Sequence, residues 1–159
     1  MNLTAAIHGI DKLEQLVVGK INVLNVWREG VDLEFGKNDA TVGSYAIKSF
    51  VAATKALKEG FVDVLVTAPI NKYNIQSEEF KFPGHTDYLD KELNGNALML
   101  MVHDDLRVGL LTDHVPVNEV AQQLTEKLIS EKLETIINTL KQDFEIEKPK
   151  VAVLGLNPH

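Results

Sequence analysis

The chain has 159 residues, 45% of them hydrophobic and 25% charged, which is the balance of an ordinary globular protein with a buried core. The formal net charge of −7 argues against nucleic acid or an anionic membrane as the main partner, because both favour a positively charged surface, although a few local donors can still bind a small phosphorylated substrate. There is no cysteine, so disulfides and thiolate metal sites are excluded, and any metal must be bound by the five histidines and the carboxylates.

The N-terminal segment does not resemble an export signal. Acidic residues occur within its first turns, and no apolar stretch of signal-peptide length is present. No apolar run in the chain approaches the roughly 20 residues of a membrane span. We therefore expect a cytoplasmic protein.

The first half of the chain shows the patterns of three strands and one helix. Residues 20–26 and 31–35 are predicted strands, the second with alternating apolar and acidic residues, and they can form a hairpin. Residues 44–58 place apolar side chains on one face and are predicted to form a helix that stops at Gly60. The apolar run 62–67 follows directly and is predicted to be a central strand of a sheet.

The second half again alternates strands and helices. Residues 97–102 and 106–111 are two apolar strands separated by a short polar turn, which favours an antiparallel hairpin. A helix is expected from about Asn118, a longer one with an apolar stripe over 125–141, and a last strand over 150–154. These elements predict an α/β protein, layered as α/β/α around a mixed sheet, and residues 1–159 are taken as a single α/β piece in which we place no internal boundary.

Three of the predicted strands lead into polar loops that carry Lys72, His114 and His159. If the three strands point the same way, these side chains gather at one edge of the sheet, where α/β folds place their ligands. Two neutral imidazoles on such loops suit Zn²⁺ or a similar divalent ion. The alternative is that each histidine only makes hydrogen bonds within its own loop, and that Lys72 is a solvated surface charge.

A fourth segment, FPGHTDYL at 82–89, places His85 and Thr86 after a Pro-Gly turn and at the start of a predicted helix. Backbone and hydroxyl donors at a helix start can hold an anion such as phosphate. Equally, Thr86 can simply be the N-cap of that helix. No Gly-x-Gly-x-x-Gly pattern is present, so a Rossmann-type dinucleotide site is not predicted.

Four segments occur in an order and an approximate spacing that are typical of one enzyme family. They are VTAPINK at 66–72, FPGHTDYL at 82–89, LRVGLLTDHVPV at 106–117 and VAVLGLNPH at 151–159. Together they resemble the 4-hydroxythreonine-4-phosphate dehydrogenase family, which serves pyridoxal phosphate (vitamin B6) biosynthesis. The likeness extends from about Lys20 to the end of the chain.

The resemblance implies two α/β/α domains like those of isocitrate and isopropylmalate dehydrogenases, with the active site between domains at a homodimer interface. It also implies NAD-dependent oxidation of 4-phosphohydroxy-L-threonine to a 3-oxo acid that then loses carbon dioxide, assisted by a divalent metal such as Zn²⁺, Mg²⁺ or Co²⁺. The family's glycine-rich N-terminal segment, its third metal histidine and most of its cofactor region have no counterpart here. We therefore expect an internal fragment that is inactive alone, and we assign no cofactor-binding residue.

Four residues match family positions that bind metal or substrate. His114 and His159 match the first and second metal-binding histidines. His85 and Thr86 match the pair that contacts the phosphorylated substrate. The resemblance therefore implies a metal site on two loops and a phosphate site on a third.

Two further residues are candidates for a catalytic role. Lys72 falls in a motif near the family's active site. Asp113 stands where the family usually has threonine, directly before His114. A carboxylate there can orient the imidazole as a hydrogen-bond partner, or it can mark a changed substrate.

Two other functions remain open. One is a sister dehydrogenase acting on 4-phospho-threonate or 4-phospho-erythronate, since such relatives share the metal histidines and the Gly-His-Thr turn. The other is a non-catalytic module that binds phosphate or metal, which the short length and the missing cofactor region favour.

Overall fold

A computed structural model describes residues 6–157 of the chain. Helices and strands both occur, as expected for the α/β class. The chain divides into two compact units, Met1–Asn94 and Gly95–His159. Among the helices of the described range, none is both long enough and apolar enough to cross a lipid bilayer.

The N-terminal unit begins with a small parallel sheet. Strand β1 (Ile7–Ile10) pairs with strand β2 (Ile21–Leu24), and the register places Ile7 opposite Ile21. Strand β2 confirms the strand predicted over 20–26. Strand β1 is an element that the sequence patterns did not reveal.

The strand predicted over 31–35 is wrong. Strand β2 pairs with β1, and the 31–35 segment runs irregularly into a turn that contains Gly36 (φ +83°). The side chains of Leu33 and Phe35 are 60% and 97% exposed. The alternating pattern predicted a half-buried strand, but no neighbouring element covers the apolar side chains, so nothing selects the strand conformation.

Helix α1 (Ala40–Lys58) confirms the helix predicted over 44–58. It begins at residue 40 because the Asp39 carboxylate caps it, accepting hydrogen bonds from two backbone N–H groups of the first turn at 2.7 and 3.1 Å. The chain leaves the helix at Gly60, whose φ of +75° is readily adopted only by glycine. Aspartate is a recognisable helix-capping residue, but the prediction used only the apolar periodicity and therefore began the helix at residue 44.

The core of this unit lies between α1, helix α2 (His85–Glu92) and the loops that precede α2. Its centre is formed by Phe50, Ile75 and Phe80, all buried. Thr54 is also buried, and its hydroxyl donates to the Phe50 carbonyl oxygen at 2.9 Å. Partly buried side chains packed around this centre are Ile47, Leu65, Ile70, Phe82, Tyr88 and Leu89. One face of α1 therefore supports α2.

Two apolar runs that were predicted as strands form no strand within residues 6–157. Leu65 of the run 62–67 packs on the core, whereas Val66 beside it is 90% exposed. In the run 150–154, Leu154 is 89% exposed. A strand needs the backbone groups of a neighbouring strand, and none pairs with these segments in the described chain. In place of one mixed sheet, residues 6–157 contain two separate two-stranded sheets, one parallel and one antiparallel.

The C-terminal unit begins with an antiparallel hairpin. Strand β3 (Leu100–His103) pairs with strand β4 (Leu106–Gly109), and Leu100 lies opposite Gly109. Asp104 occupies the turn with a φ of +45°. This hairpin confirms the one predicted from the two apolar runs.

Two helices follow the hairpin, as predicted. A 3₁₀ turn at Val117–Glu119 leads into the short helix α3 (Val120–Gln123), close to the expected start at Asn118. Helix α4 (Glu126–Gln142) begins after Thr125, whose hydroxyl oxygen accepts from a first-turn backbone N–H at 3.1 Å.

The hairpin packs directly on α4. Ile136 and Leu140 of α4 are buried, and a Cβ added at Gly109 would lie only 2.7 Å from the Cδ1 atom of Ile136. The Lys132 ammonium donates to the Ala97 carbonyl oxygen at 2.6 Å. A side chain at the end of β4 would force the Ile136 side chain to shift, so glycine suits this close approach.

Candidate functional site

Helix α2 starts in a way that leaves its first backbone N–H groups open to a ligand. Its N-cap is Gly84, in extended conformation, and no side chain caps it. His85 and Thr86 are the first two helical residues, so Thr86 is not the N-cap. The N–H groups of the first helical turn have no partner within the helix, and their dipoles favour an anion.

Lys72 lies beside this helix start. Its Cε and Nζ atoms are 3.7 and 4.0 Å from the position that a Cβ would occupy on Gly84. Asn71 shapes the loop, because its side-chain oxygen accepts hydrogen bonds from the backbone N–H groups of Tyr73 and Asn74 at 2.9 and 3.1 Å. The structure therefore places a cation next to the N-terminus of α2.

His85 is half-buried against an aromatic ring. Its imidazole meets the ring of Phe50 edge-on, with centroids 4.6 Å apart and an interplanar angle of 70°. Burial lowers the pKa of His85 below its ordinary value. The imidazole is therefore neutral at neutral pH, with one nitrogen donating and the other accepting.

The same aromatic ring also supports the next residues of α2. Tyr88 contacts Phe50, Phe80 and Phe82 with centroid distances of 5.1, 5.4 and 5.2 Å. Burial, and then the nearby Glu92 carboxylate, raises the pKa of the Tyr88 phenol. We call Phe50, Phe80, Phe82 and Tyr88 the aromatic cluster. It packs the first turns of α2 against the core of the unit.

Asp113 and His114 lie in the C-terminal unit, in the loop after β4. His114 has a φ of +52°, a left-handed conformation that is uncommon for residues other than glycine. Both residues are exposed, and neither side chain makes a hydrogen bond or ion pair within residues 6–157. Strained backbone in a loop is a frequent mark of functional positions.

The described residues do not by themselves form a metal centre. His159 lies outside the described residues, and no group of three or more histidine, aspartate or glutamate side chains within 6–157 is placed to hold a metal ion. A protein metal site usually needs three or four such ligands. The six predicted site residues thus fall into three sets: Lys72, His85 and Thr86 together, Asp113 and His114 together, and His159 outside the described range.

Residues 1–159 match the family model of the pyridoxal phosphate biosynthetic protein PdxA. The chain belongs to the PdxA family. This confirms the family that the four sequence segments indicated.

Curated relatives of the PdxA family agree with this assignment. The 4-hydroxythreonine-4-phosphate dehydrogenase of Bacteroides thetaiotaomicron is 49% identical over 142 residues, which cover 88% of this chain and 39% of the relative. Those of Sulfurihydrogenibium sp. and Neisseria meningitidis serogroup A are 36% and 35% identical, covering 94% and 89% of this chain and 46% and 44% of the relatives. The chain therefore spans less than half the length of these curated relatives.

Sequence reasoning missed three features of this PdxA-family site. It did not connect Phe50 with His85, because helical periodicity shows that a residue is buried but not what it touches. It did not identify Asn71 as the residue that shapes the Lys72 loop, although asparagine is a common turn-forming residue. No pattern in the sequence indicated the left-handed backbone of His114.

Proposed function

We propose that this chain is part of a PdxA-family dehydrogenase that oxidises the secondary alcohol of 4-phosphohydroxy-L-threonine with NAD. The product is a 3-oxo acid that loses carbon dioxide, and the reaction serves pyridoxal phosphate biosynthesis. The whole enzyme is proposed to be a cytoplasmic homodimer. The family match and the names of the curated relatives support the reaction class.

One structural observation carries the substrate part of the proposal: the Lys72 ammonium lies beside the uncapped start of α2. Phosphate carries two negative charges at neutral pH and accepts several hydrogen bonds. A helix N-terminus offers backbone donors and a favourable dipole, and a nearby ammonium adds a full positive charge. We therefore assign the phosphate group of the substrate to this position.

His85 and Thr86 complete the proposed phosphate site. The Thr86 hydroxyl and the neutral His85 imidazole each provide a donor that does not depend on the exact protonation of the phosphate. Because the aromatic cluster holds the first turns of α2, these donors are oriented before the substrate arrives. Such preorganisation lowers the entropy lost on binding.

We further propose that His114 and His159 bind a divalent metal ion in the whole enzyme, and that Asp113, which directly precedes His114, orients its imidazole. The support is the family match together with the exposed, strained position of His114. Residues 6–157 supply too few ligands for this centre and contain no glycine-rich dinucleotide turn, so we assign no reaction step to the metal or to NAD.

The decisive experiment replaces Lys72 by methionine in the full-length family protein that contains this chain. Loss of a charge-assisted hydrogen bond costs about 1.5–3 kcal/mol, so the KM for the phosphorylated substrate should rise roughly 10- to 100-fold. The matched control is Lys20→Met, which removes one exposed positive charge elsewhere in the same unit. The KM of each variant is obtained from initial rates of NAD reduction.

Two results would contradict the assignment. If Lys72→Met and Lys20→Met change KM equally, Lys72 has no specific contact with phosphate. If the full-length protein binds inorganic phosphate but never reduces NAD, the non-catalytic binding module is the correct function.

A further inference from the structure

The ring of Phe50 links helix α1 to the start of α2. It is only 6% exposed, and it contacts the His85 imidazole edge-on at 4.6 Å and the Tyr88 ring at 5.1 Å. The edge-to-face arrangement is a preferred geometry for aromatic pairs, because the positive edge of one ring meets the negative face of the other. Phe50 therefore restricts how the imidazole can rotate about its side-chain bonds.

Among the groups around the His85 imidazole, the aromatic contact is the main influence on its environment. The titratable neighbours on α2 are Asp87 and Tyr88, and the preceding loop contributes Lys72 beside Gly84. The face of α1 around the phenylalanine contributes no titratable group in the described chain. The cause of the lowered pKa of His85 is burial and not a neighbouring charge.

We propose that Phe50 is a positioning residue for the substrate site: its ring fixes the orientation of the His85 imidazole and shields one side of it from water. The inference rests on the proposed function in one respect, namely that His85 contacts the phosphorylated substrate. Phe50 itself touches neither substrate nor cofactor in this proposal. It acts through His85, by keeping the imidazole uncharged and pointing in one direction.

Phe80 provides a matched control within the same core. It is as deeply buried as Phe50, at 3% exposed, and it packs on Phe82 and Tyr88. The ring contacts of His85 in the described structure include Phe50 and not Phe80. A substitution that only loosens the core should therefore act alike at the two positions, whereas loss of positioning is specific to Phe50.

The test uses the full-length family protein with its histidine rings isotopically labelled, in the variants Phe50→Leu and Phe80→Leu. His85→Gln identifies the His85 resonance among those of the other histidines. In Phe50→Leu the pKa of His85 should rise towards its ordinary value, and the KM for the phosphorylated substrate should rise about fivefold, the equivalent of one lost aromatic contact. In Phe80→Leu the His85 titration should match that of the wild type.

If Phe50→Leu does not fold, two other measurements test the positioning role of Phe50. Phe50→Met and Phe80→Met preserve side-chain volume better and can replace the leucine pair. In the unmodified protein, a nuclear Overhauser effect between the rings of Phe50 and His85 is expected, and its absence would overturn the proposal.

The two possible failures can be told apart. A Phe50→Leu protein whose His85 titrates as in the wild type would overturn the positioning role, whatever the substrate. A shifted titration with an unchanged KM would also overturn it, but by removing His85 from the substrate site, so the error would then lie in the proposed function.

Discussion

At the scale of single residues, His114 is one of three non-glycine residues with a positive φ in the described range, together with Asp104 and Glu145. The φ of +52° puts the His114 side chain in a backbone region that glycine adopts readily and that strains most other residues, at a cost of about 1–3 kcal/mol. The neighbouring Asp113 does not share this conformation. Because the His114 side chain is exposed, its packing cannot be the reason for keeping a histidine there. A ligand that binds the imidazole in the whole enzyme is a consistent reason.

The strain at His114 predicts that the stability difference between a glycine and an alanine variant has opposite signs at positions 113 and 114. His114→Gly should be more stable than His114→Ala by about 1 kcal/mol, because glycine adopts positive φ without strain. At Asp113 the order should reverse, since glycine there only adds unfolded-state entropy. Urea unfolding of the four variants measures both differences. Equal stability of His114→Gly and His114→Ala would show that the backbone there carries no strain.

At the scale of secondary-structure elements, helix caps decide where the two long helices begin. Asp39 accepts two first-turn backbone hydrogen bonds at the start of α1, and Thr125 accepts one at the start of α4. Helix α1 carries Phe50, so the cap also affects how firmly the aromatic cluster is held.

The Asp39 cap predicts a specific loss of stability. Asp39→Ala should lower the free energy of unfolding by about 0.5–2 kcal/mol, whereas Asp39→Asn should retain most of it, since asparagine is an equally good N-cap. The control is Asp63→Ala, which removes an exposed carboxylate that caps no helix. Chemical unfolding followed by circular dichroism compares the three. A loss in Asp63→Ala as large as that in Asp39→Ala would point to net charge and not to capping.

At the scale of the whole molecule, the chain provides a phosphate-type site and a strained histidine loop, but no described cluster of metal ligands. It also spans less than half the length of its curated relatives. These facts explain why the proposed reaction is assigned to the full-length family protein.

The corresponding prediction compares two proteins and two substrates. The full-length protein should reduce NAD with 4-phosphohydroxy-L-threonine faster than with 4-phospho-erythronate, and the 159-residue chain alone should reduce none. Absorbance of NADH measures the rates, and circular dichroism of the chain alone verifies that its helices are formed. Faster turnover of the sugar acid would identify a sister dehydrogenase. Robust NAD reduction by the chain alone would contradict its expected inactivity.

The sequence by itself determined what depends on local chemistry. Periodic apolar residues predicted α1 and α4, and two short apolar runs predicted the β3–β4 hairpin, because the backbone hydrogen bonds of these elements join residues close in the chain. The four motifs also identified the family. They brought forward Lys72, His85 and Thr86 as candidates, but the sequence placed Lys72 with His114 and His159 and not with His85 and Thr86.

Only the tertiary structure decided the features that depend on distant partners. Strand β2 pairs with β1 and not with 31–35, and the apolar run 62–67 has no strand neighbour among residues 6–157. An apolar run favours burial, but a strand exists only where another backbone completes its hydrogen bonds. The packing of Phe50 on His85 has the same origin. A helical pattern predicts which face turns inward, and only the folded core determines which side chain that face meets.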